Sequence, residues 1–148
     1  LVEKPTPYEA PSDLAILASR GVTVVTCPRS NAWVGAGVPP VDAFYRSGVR
    51  VAIGTDSLTS VEDLNLFAEL ASLHRLAPAV RPADLLHSAT LAGAEALGFG
   101  ETHGAITTGR RAALIAVAVP PGTTDVEQYL VSGIEPGKIR AIDQSPSC

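Results

Sequence analysis

The protein is a chain of 148 residues with a formal net charge of −4; 46% of its residues are hydrophobic and 18% are charged. This length and apolar content suit one globular domain with a buried core and exclude a disordered chain. The acidic balance and the lack of a Lys/Arg cluster argue against nucleic acid or an anionic membrane as a partner, and the longest apolar run, residues 112–121, is too short to span a bilayer.

Two features of the sequence bear on its origin. The chain begins with Leu1 and contains no Met, so we expect a fragment of a longer polypeptide or a processed chain. Of its two cysteines, Cys27 follows a predicted strand and Cys148 is the last residue, which argues against a disulfide framework and for a reducing compartment. Residues 1–20 lack the pattern of a signal peptide, so we expect a cytoplasmic protein.

The first part of the chain predicts a helix between an irregular lead-in and a strand. Residues 1–11 contain three prolines and have no periodic pattern. Ser12 or Asp13 can cap a short helix that Gly21 ends. Residues 22–26, "VTVVT", are β-branched and apolar, as in a buried strand.

A loop and a second helix lead to a second strand. The Pro and Gly residues over 27–40 predict a long loop. The segment "PVDAFYRSG" predicts a helix that begins near Pro40 and ends at Gly48, and "VRVAIG", residues 49–54, predicts a strand. Strand, loop, helix and strand form a βαβ unit, so we expect the two strands to lie parallel and adjacent in one sheet.

Two further helices follow the second strand. Residues 63–77 predict an amphipathic helix with Leu66, Leu70 and Leu73 on one apolar stripe. Residues 82–99 predict another helix, whose Ala and Gly positions favour close packing on a neighbour.

The chain therefore divides by pattern into three parts. Residues 1–11 are the lead-in and residues 12–99 are α/β. Residues 100–148 form a small β-rich segment with Gly turns, one long apolar strand, at most one short helix and a further strand.

A carboxylate, Asp56, follows the second predicted strand in the corner "GTDS". Active sites of parallel α/β folds gather at the C-terminal ends of strands. A carboxylate there can bind a divalent metal, act as a general base, or do both. Thr55 and Ser57 are candidates to orient this carboxylate, and Ser57 is also a candidate to contact substrate. The alternative is that Asp56 only caps the turn or helix after the strand.

The corner "CPRSN" follows the first predicted strand, and parallel pairing would place it beside "GTDS". We interpret it as a substrate loop in which Arg29 grips an anionic or hydrogen-bonding group, with Ser30 and Asn31 as further substrate contacts. The alternative is a structural loop whose Arg29 side chain lies in solvent. We expect Cys27 to be packed rather than to act as a nucleophile, because no His lies close in sequence.

The three histidines do not complete a metal site around Asp56. His74 and His87 fall on separate predicted helices, and His103 lies in a predicted turn. Since a metal site needs several ligands, we expect any ligands that join Asp56 to lie outside this chain.

In order along the chain, four motifs resemble the C-terminal part of the amidohydrolase superfamily. They are "VTCPRSN", "VRVAIGTDSLTSVEDLNLFAEL", "SATLAGAEALGF" and "GAITTGRRAALIAV", and the resemblance runs over roughly residues 12–119. The branch most similar to them is the aminohydrolases, which are deaminases of adenosine-derived nucleosides, guanine and other aminated heterocycles. Chlorotriazine hydrolases are relatives of that branch.

The resemblance implies a fold, a metal and a role for Asp56. The family fold is a metal-dependent (β/α)8 barrel flanked by a small β-sandwich. Residues 22–26 and 49–56 are similar to its last two strands, and residues 104–119 to the return to the sandwich. Asp56 matches the family aspartate that binds a divalent metal, zinc or else iron, and shuttles a proton from the attacking water. The corner "CPRSN" matches the loop beside the substrate.

The resemblance is also partial. The H-x-H of the family's first strand and the histidines of its fifth and sixth strands have no counterpart here. A complete barrel needs about 250 residues. The run Ala112-Ala113-Leu114 stands where family members usually carry "ADL".

We therefore expect the C-terminal part of a metal-dependent hydrolase of non-peptide carbon–nitrogen bonds, which deaminates an aminated heterocycle or nucleoside through metal-activated water. The expected partner is a small-molecule substrate, and a homo-oligomer is compatible with the sequence. By itself the chain is expected to be inactive. The alternatives are a non-catalytic α/β fragment and a module that binds a small ligand between the two corners.

Overall fold

The computed structural model is an α/β fold and describes residues 11–142. The predicted lead-in lies outside the described residues except for Pro11, which begins the first helix. No helix within the described range is long and apolar enough to cross a membrane. The elements follow in the order α1 (Pro11–Ser19), β1 (Thr23–Thr26), α2 (Pro28–Trp33), α3 (Val41–Ser47), β2 (Arg50–Ile53), α4 (Leu66–Leu76), α5 (Pro82–Ala89), α6 (Leu91–Ala96), β3 (Leu114–Val117), α7 (Val126–Leu130), a 3₁₀ turn (Pro136–Lys138) and β4 (Ile139–Ile142).

The strands β1 and β2 pair in parallel, as the βαβ pattern predicts. Val24 lies opposite Val51, and Thr26 lies opposite Ile53. Beyond the last pair, the Gly54 N–H donates to the Thr26 carbonyl at 3.1 Å. The residues that follow the two strands therefore leave the sheet side by side.

The segment after β1 is helical where the sequence analysis predicts a loop over residues 27–40, so that part of the prediction is wrong. Pro28 occupies the first turn of α2, where its fixed φ and missing N–H suit a helix. Cys27 at the N-cap makes no side-chain capping bond. The Arg29 N–H donates instead to the carboxylate of Glu69 on α4, 3.1 Å away. A contact with a residue 40 positions away leaves no sign in the local pattern.

The helix predicted over residues 82–99 is two helices, α5 and α6. They are separated at Thr90, whose backbone has φ −123° and ψ −89°. The Thr90 hydroxyl donates to the Leu86 carbonyl at 2.8 Å. Such a bond from a side chain to the preceding turn competes with regular helix geometry, which gives a physical reason for the break.

The core lies between β2 and the helices that follow it. Leu70 and Leu73 are buried in it, which confirms the apolar stripe of α4, and Leu66 packs against it from the edge. Val131, just after α7, belongs to the same cluster, so residues beyond 100 pack on the α/β part. The buried apolar members of the cluster are Val41, Ile53, Leu70, Leu73, Ala77, Leu85 and Val131.

The strands β3 and β4 form a separate antiparallel pair. Leu114 lies opposite Ile142, and Val117 lies opposite Ile139. This pair and α7 agree with the β-rich end, short helix and further strand that the sequence pattern predicts.

Replacing Leu73 with Ala tests the assigned core. The Leu73 side chain is fully buried, whereas Leu97 is 74% exposed and serves as the matched control. We expect Leu73→Ala to lower the free energy of unfolding by about 2–5 kcal/mol, because it removes apolar contacts and leaves a cavity. Leu97→Ala is expected to change it by less than about 0.5 kcal/mol. Denaturant unfolding measures both, and equal effects of the two substitutions would contradict the assignment.

Candidate active site

The two polar corners meet, as the parallel pairing predicts. The Ser30 hydroxyl, on α2, donates to Asp56 Oδ2 at 2.6 Å. Ser30 is buried, and Asp56 is exposed at the end of β2. A short hydrogen bond to a carboxylate is charge-assisted and stronger than a neutral one. The corner "CPRSN" is thus bonded directly to the corner "GTDS".

Asp56 adopts a backbone conformation that few residues favour. Its φ is +64°, in the left-handed region, and it is the one non-glycine residue with positive φ among those described. Aspartate tolerates this region better than most residues, although it still costs about 1 kcal/mol. Such strained residues cluster at functional sites, so the conformation supports a role for Asp56 beyond capping a turn.

A second hydroxyl also reaches the Asp56 carboxylate. Ser60 Oγ lies 3.0 Å from Asp56 Oδ2 and 3.1 Å from the Ser57 carbonyl, so its single proton is shared between these acceptors. The Ser60 N–H donates to the same Ser57 carbonyl at 2.9 Å, which closes a turn over residues 57–60. Hydrogen bonds from Ser30, then from Ser60, lower the pKa of Asp56 and keep it ionised near neutral pH.

The structure corrects how Thr55 and Ser57 were expected to orient this carboxylate: both hydroxyls bond elsewhere, while the Ser57 backbone gives Asp56 a hydrogen bond that lowers its pKa. The Ser57 hydroxyl lies 2.5 Å from Thr59 Oγ1, and the Thr55 hydroxyl donates to the Asp56 backbone carbonyl at 3.3 Å. Neither of these bonds involves the Asp56 carboxylate, because the turn carries Ser60 back to it instead. Ser60 was missed by sequence analysis, and its spacing four residues after Asp56 in a polar turn was the available signal. Whether Ser57 contacts substrate stays a prediction.

Arg29 is held by two acidic residues near α4. Its Nη1 donates to Asp63 Oδ1 at 2.7 Å and lies 3.7 Å from Glu69 Oε1. The Arg29 guanidinium lowers the pKa of Asp63, whereas burial raises the pKa of Glu69. Sequence analysis missed both acids. Position 69 falls on the same helical face as the buried leucines, where a charged residue is an available signal.

Asn31 lines a cleft beside α2. The cleft has a volume of about 770 Å³. Ser60 lies on its wall and also bonds to Asp56, so the cleft adjoins the carboxylate without containing it. Contacts of Arg29 and Asn31 with a substrate stay predictions. The other residues that shape the cleft include Trp33, Val38, Glu62 and Arg75.

Cys27, the first residue of the corner "CPRSN", is half-buried. Burial, followed by the nearby charges of Asp56 and Glu69, raises the pKa of its thiol. A thiol with a raised pKa is a poor nucleophile, which supports the packing interpretation. A Cβ atom added to Gly54 would lie 3.1 Å from Cys27 Sγ, so the close approach of the strands favours glycine there. Cys148, and any disulfide that would involve it, lies outside the described residues.

The histidines lie on the elements that the sequence analysis predicts, with His74 on α4, His87 on α5 and His103 outside the helices and strands. His74 Nε2 lies 3.0 Å from Gln128 Nε2, and His103 Nδ1 lies 2.8 Å from the Thr102 hydroxyl. His87 is exposed on α5. Within residues 11–142 there is no group of three or more His, Cys, Asp or Glu side chains arranged to hold a metal ion. The ionised carboxylate of Asp56 fits the role of one metal ligand, and a complete ligand set is not present in this range.

Comparison with protein-family models identifies the family. The model of the Amidohydrolase family matches residues 2–140. The chain belongs to the amidohydrolase family. The matched range includes β1, β2 and both polar corners, and it confirms the resemblance found in the sequence motifs.

Named relatives of this amidohydrolase chain include deaminases. It is 44% identical over 112 residues to a 5-methylthioadenosine/S-adenosylhomocysteine deaminase from Syntrophobacter fumaroxidans. The alignment covers 71% of this chain and 26% of that protein. The chain thus spans about a quarter of the length of this curated relative.

Solved structures are similar to this chain in fold. A zinc-bound adenosine deaminase from Xanthomonas campestris matches with a TM-score of 0.80 and 36% identity, over 85% of this chain and 31% of that chain. An atrazine chlorohydrolase from Arthrobacter aurescens, solved with zinc, matches with a TM-score of 0.71 and 22% identity, over 85% of this chain and 30% of that chain. The second likeness is one of fold alone.

Exchange of single hydroxyls tests how Asp56 is held. We expect Ser30→Ala to raise the pKa of Asp56, because its strongest hydrogen-bond donor is lost. Ser57→Ala removes a hydroxyl that bonds to Thr59 and should leave that pKa unchanged. NMR titration of the Asp56 carboxyl carbon measures both.

The same shift links stability to pH. The folded-state pKa of Asp56 is lowered, so its hydrogen bonds contribute stability above the unfolded-state pKa, and this contribution is lost as pH falls through the folded-state value. Ser30→Ala should therefore reduce stability at neutral pH more than at strongly acidic pH. An equal loss at both, with the Asp56 pKa unmoved, would contradict the assigned contact.

Proposed function

We propose that this chain is the C-terminal part of a metal-dependent (β/α)8 amidohydrolase barrel together with part of its small β-sandwich. In this proposal β1 and β2 are the last two barrel strands, residues 12–99 are the partial barrel, and residues 100–148 are the return to the sandwich. The parallel pairing of β1 and β2 supports it. So does the adenosine deaminase match, which extends over 85% of this chain but 31% of that one.

The proposed reaction is hydrolytic deamination of an aminated heterocycle, with adenine nucleosides as the first candidates. Water replaces the exocyclic amino group, so the ring carbon gains an oxygen and ammonia leaves. The names of the relatives, which include 5-methylthioadenosine/S-adenosylhomocysteine deaminase and adenosine deaminase, support this substrate class. The small-molecule substrate would be admitted at the edge where both corners lie.

One observation carries the proposal: an ionised, exposed carboxylate at the C-terminal end of a parallel strand, held by two hydroxyls. Asp56 would serve as one ligand of a divalent metal, zinc or else iron. When bound, that metal lowers the pKa of a water molecule. Asp56 would accept a proton from the water and pass it to the departing amine. Ser30 and Ser60 would orient the carboxylate for both tasks.

The substrate contacts are proposed from the neighbourhood of Asp56. The candidates that sequence analysis names are Ser30 and Asn31 on α2 and Ser57 in the turn after β2. Arg29 is a candidate only if its guanidinium turns away from Asp63, to which it donates at 2.7 Å. The remaining metal ligands and substrate loops would come from barrel strands outside this chain, so the chain by itself is proposed to be inactive.

Substitution of Asp56 tests the reaction in a polypeptide that carries this chain together with a complete barrel. Asp56→Asn keeps the shape but removes the proton acceptor, and we expect it to lower kcat by about 10²–10⁴-fold. Asp42→Asn is the matched control, because the Asp42 carboxylate lies on the surface of α3 beside Arg46. Ammonia release from 5′-methylthioadenosine measures the rate. Full activity of Asp56→Asn, or no deamination of any adenine nucleoside by the unsubstituted enzyme, would overturn the proposal.

Metal analysis tests the ligand count of the chain alone. After exhaustive dialysis, the purified 148-residue chain is expected to contain almost no zinc or iron, because residues 11–142 hold no group of side chains that could complete a metal site with Asp56. Elemental analysis measures the content. About one metal ion per chain, lost on Asp56→Ala, would show that the site is assembled from other ligands of this chain or from a second copy.

A further inference from the structure

Glu69 is a buried acid that the proposed reaction does not use. Its side chain is fully buried on α4. Glu69 Oε2 accepts the Arg29 N–H at 3.1 Å. Its Oε1 has no hydrogen-bond partner among the described residues, and the Arg29 guanidinium lies 3.7 Å from it. Burying a carboxylate with so few donors costs stability, so stability alone gives no reason for this acid.

The residue that Glu69 contacts, Arg29, is the neighbour in sequence of Ser30, which contacts Asp56. The Arg29 N–H that Glu69 accepts belongs to the first turn of α2, which has no side-chain cap of its own. The next residue, Ser30, is buried and donates to Asp56 Oδ2 at 2.6 Å. Glu69 therefore fixes the backbone at the point from which the Ser30 hydroxyl projects.

A second contact restrains Arg29 through its side chain. Arg29 Nη1 donates to Asp63 Oδ1 at 2.7 Å, and Asp63 Oδ1 also accepts the Asn65 N–H at 3.0 Å. Asn65 in turn caps α4, because its side chain accepts the Phe67 N–H at 3.0 Å. The backbone and the guanidinium of Arg29 are thus both tied to α4 and the segment that leads into it.

We propose that Glu69 is a positioning residue, which holds α2 through the Arg29 N–H so that the Ser30 hydroxyl meets the Asp56 carboxylate. The contacts among these groups carry the proposal, and its consequence for catalysis rests on the proposed function. Glu69 itself would contact neither the substrate nor the metal. It acts on them through Arg29 and Ser30.

Two substitutions separate the hydrogen-bond role of Glu69 from its charge. Glu69→Gln removes the charge but keeps an acceptor oxygen at the same reach. Glu69→Asp keeps the charge but is one methylene shorter and loses the contact with the Arg29 N–H. Glu95→Asp makes the same change at an exposed position of α6 and is the control.

NMR of the full chain gives the readouts without metal or substrate. Three-bond couplings report the χ1 angle of Ser30, and hydrogen exchange reports the Arg29 amide. We expect the unsubstituted chain, Glu69→Gln and Glu95→Asp to show one Ser30 rotamer and a slowly exchanging Arg29 amide. In Glu69→Asp we expect averaged Ser30 couplings and Arg29 exchange about tenfold or more faster. A merely structural role would lower stability without separating the Gln variant from the Asp variant.

Two results overturn the proposal. The first is a folded Glu69→Asp chain that keeps a single Ser30 rotamer and a slow Arg29 amide. The second needs no variant, since rapid exchange of the Arg29 amide in the folded unsubstituted chain excludes the Glu69 contact even if Glu69→Asp does not fold. Because none of these readouts depends on turnover, a failure of the proposed deamination would leave them unchanged and would be recognised separately.

Discussion

The parallel pairing of β1 with β2 is the constraint on which the candidate site depends. Its register sets Thr26 opposite Ile53, so the segments that follow β1 and β2 leave the sheet at the same level. The corners are close enough that a side chain at Gly54 would contact Cys27 Sγ. Without this register, Ser30 and Asp56, which lie 26 residues apart, would not share a hydrogen bond. The hydrogen bonds from Ser30 and Ser60 to Asp56 then fix the position of a carboxylate that the sheet has already brought beside α2.

The pKa values of two carboxylates near this point, Asp56 and Glu69, are shifted in opposite directions. Asp56 is exposed and accepts hydrogen bonds from two hydroxyls, which lower its pKa. The lowered pKa favours the charged form, which is the form that can bind a metal or accept a proton. Glu69 is buried, and burial raises its pKa because the charged form loses water. The stability that Asp56 contributes is lost as pH falls, whereas Glu69 makes folding less favourable as pH rises through its raised pKa, because its buried carboxyl group must then ionise. The exposed carboxylate of Asp56 is therefore suited to the proposed metal and proton contacts, and the buried carboxylate of Glu69 to its hydrogen bond with the Arg29 N–H.

The surface of the α/β part also agrees with membership of a larger barrel. Within residues 11–142, the β1–β2 sheet has two strands and therefore two edges, which proteins usually cover or pair. Val25 on β1 is 56% exposed, and Trp33 at the end of α2 is 63% exposed. Neighbouring strands and helices of a (β/α)8 barrel would cover such groups. This supports the proposal that the amidohydrolase fold is completed by residues outside this chain.

Local sequence pattern was sufficient for β1 and β2, which are β-branched and apolar, and for α4, whose apolar residues have the helical period. It was also sufficient to place Asp56 after a strand, because a polar corner follows the apolar run. The ordered motifs were sufficient for the family. Pattern could not show that α2 is a helix, since its Pro suits a loop as well as a helix start and its capping acid, Glu69, lies 40 residues away. It could not show that the Ser60 hydroxyl, rather than the Ser57 hydroxyl, bonds to the Asp56 carboxylate, because the geometry of the turn decides which hydroxyl reaches it. Sequence thus determined β1, β2 and α4 and the candidate carboxylate, Asp56. Tertiary structure decided which side chains hold that group, because those contacts depend on distances that local sequence does not encode.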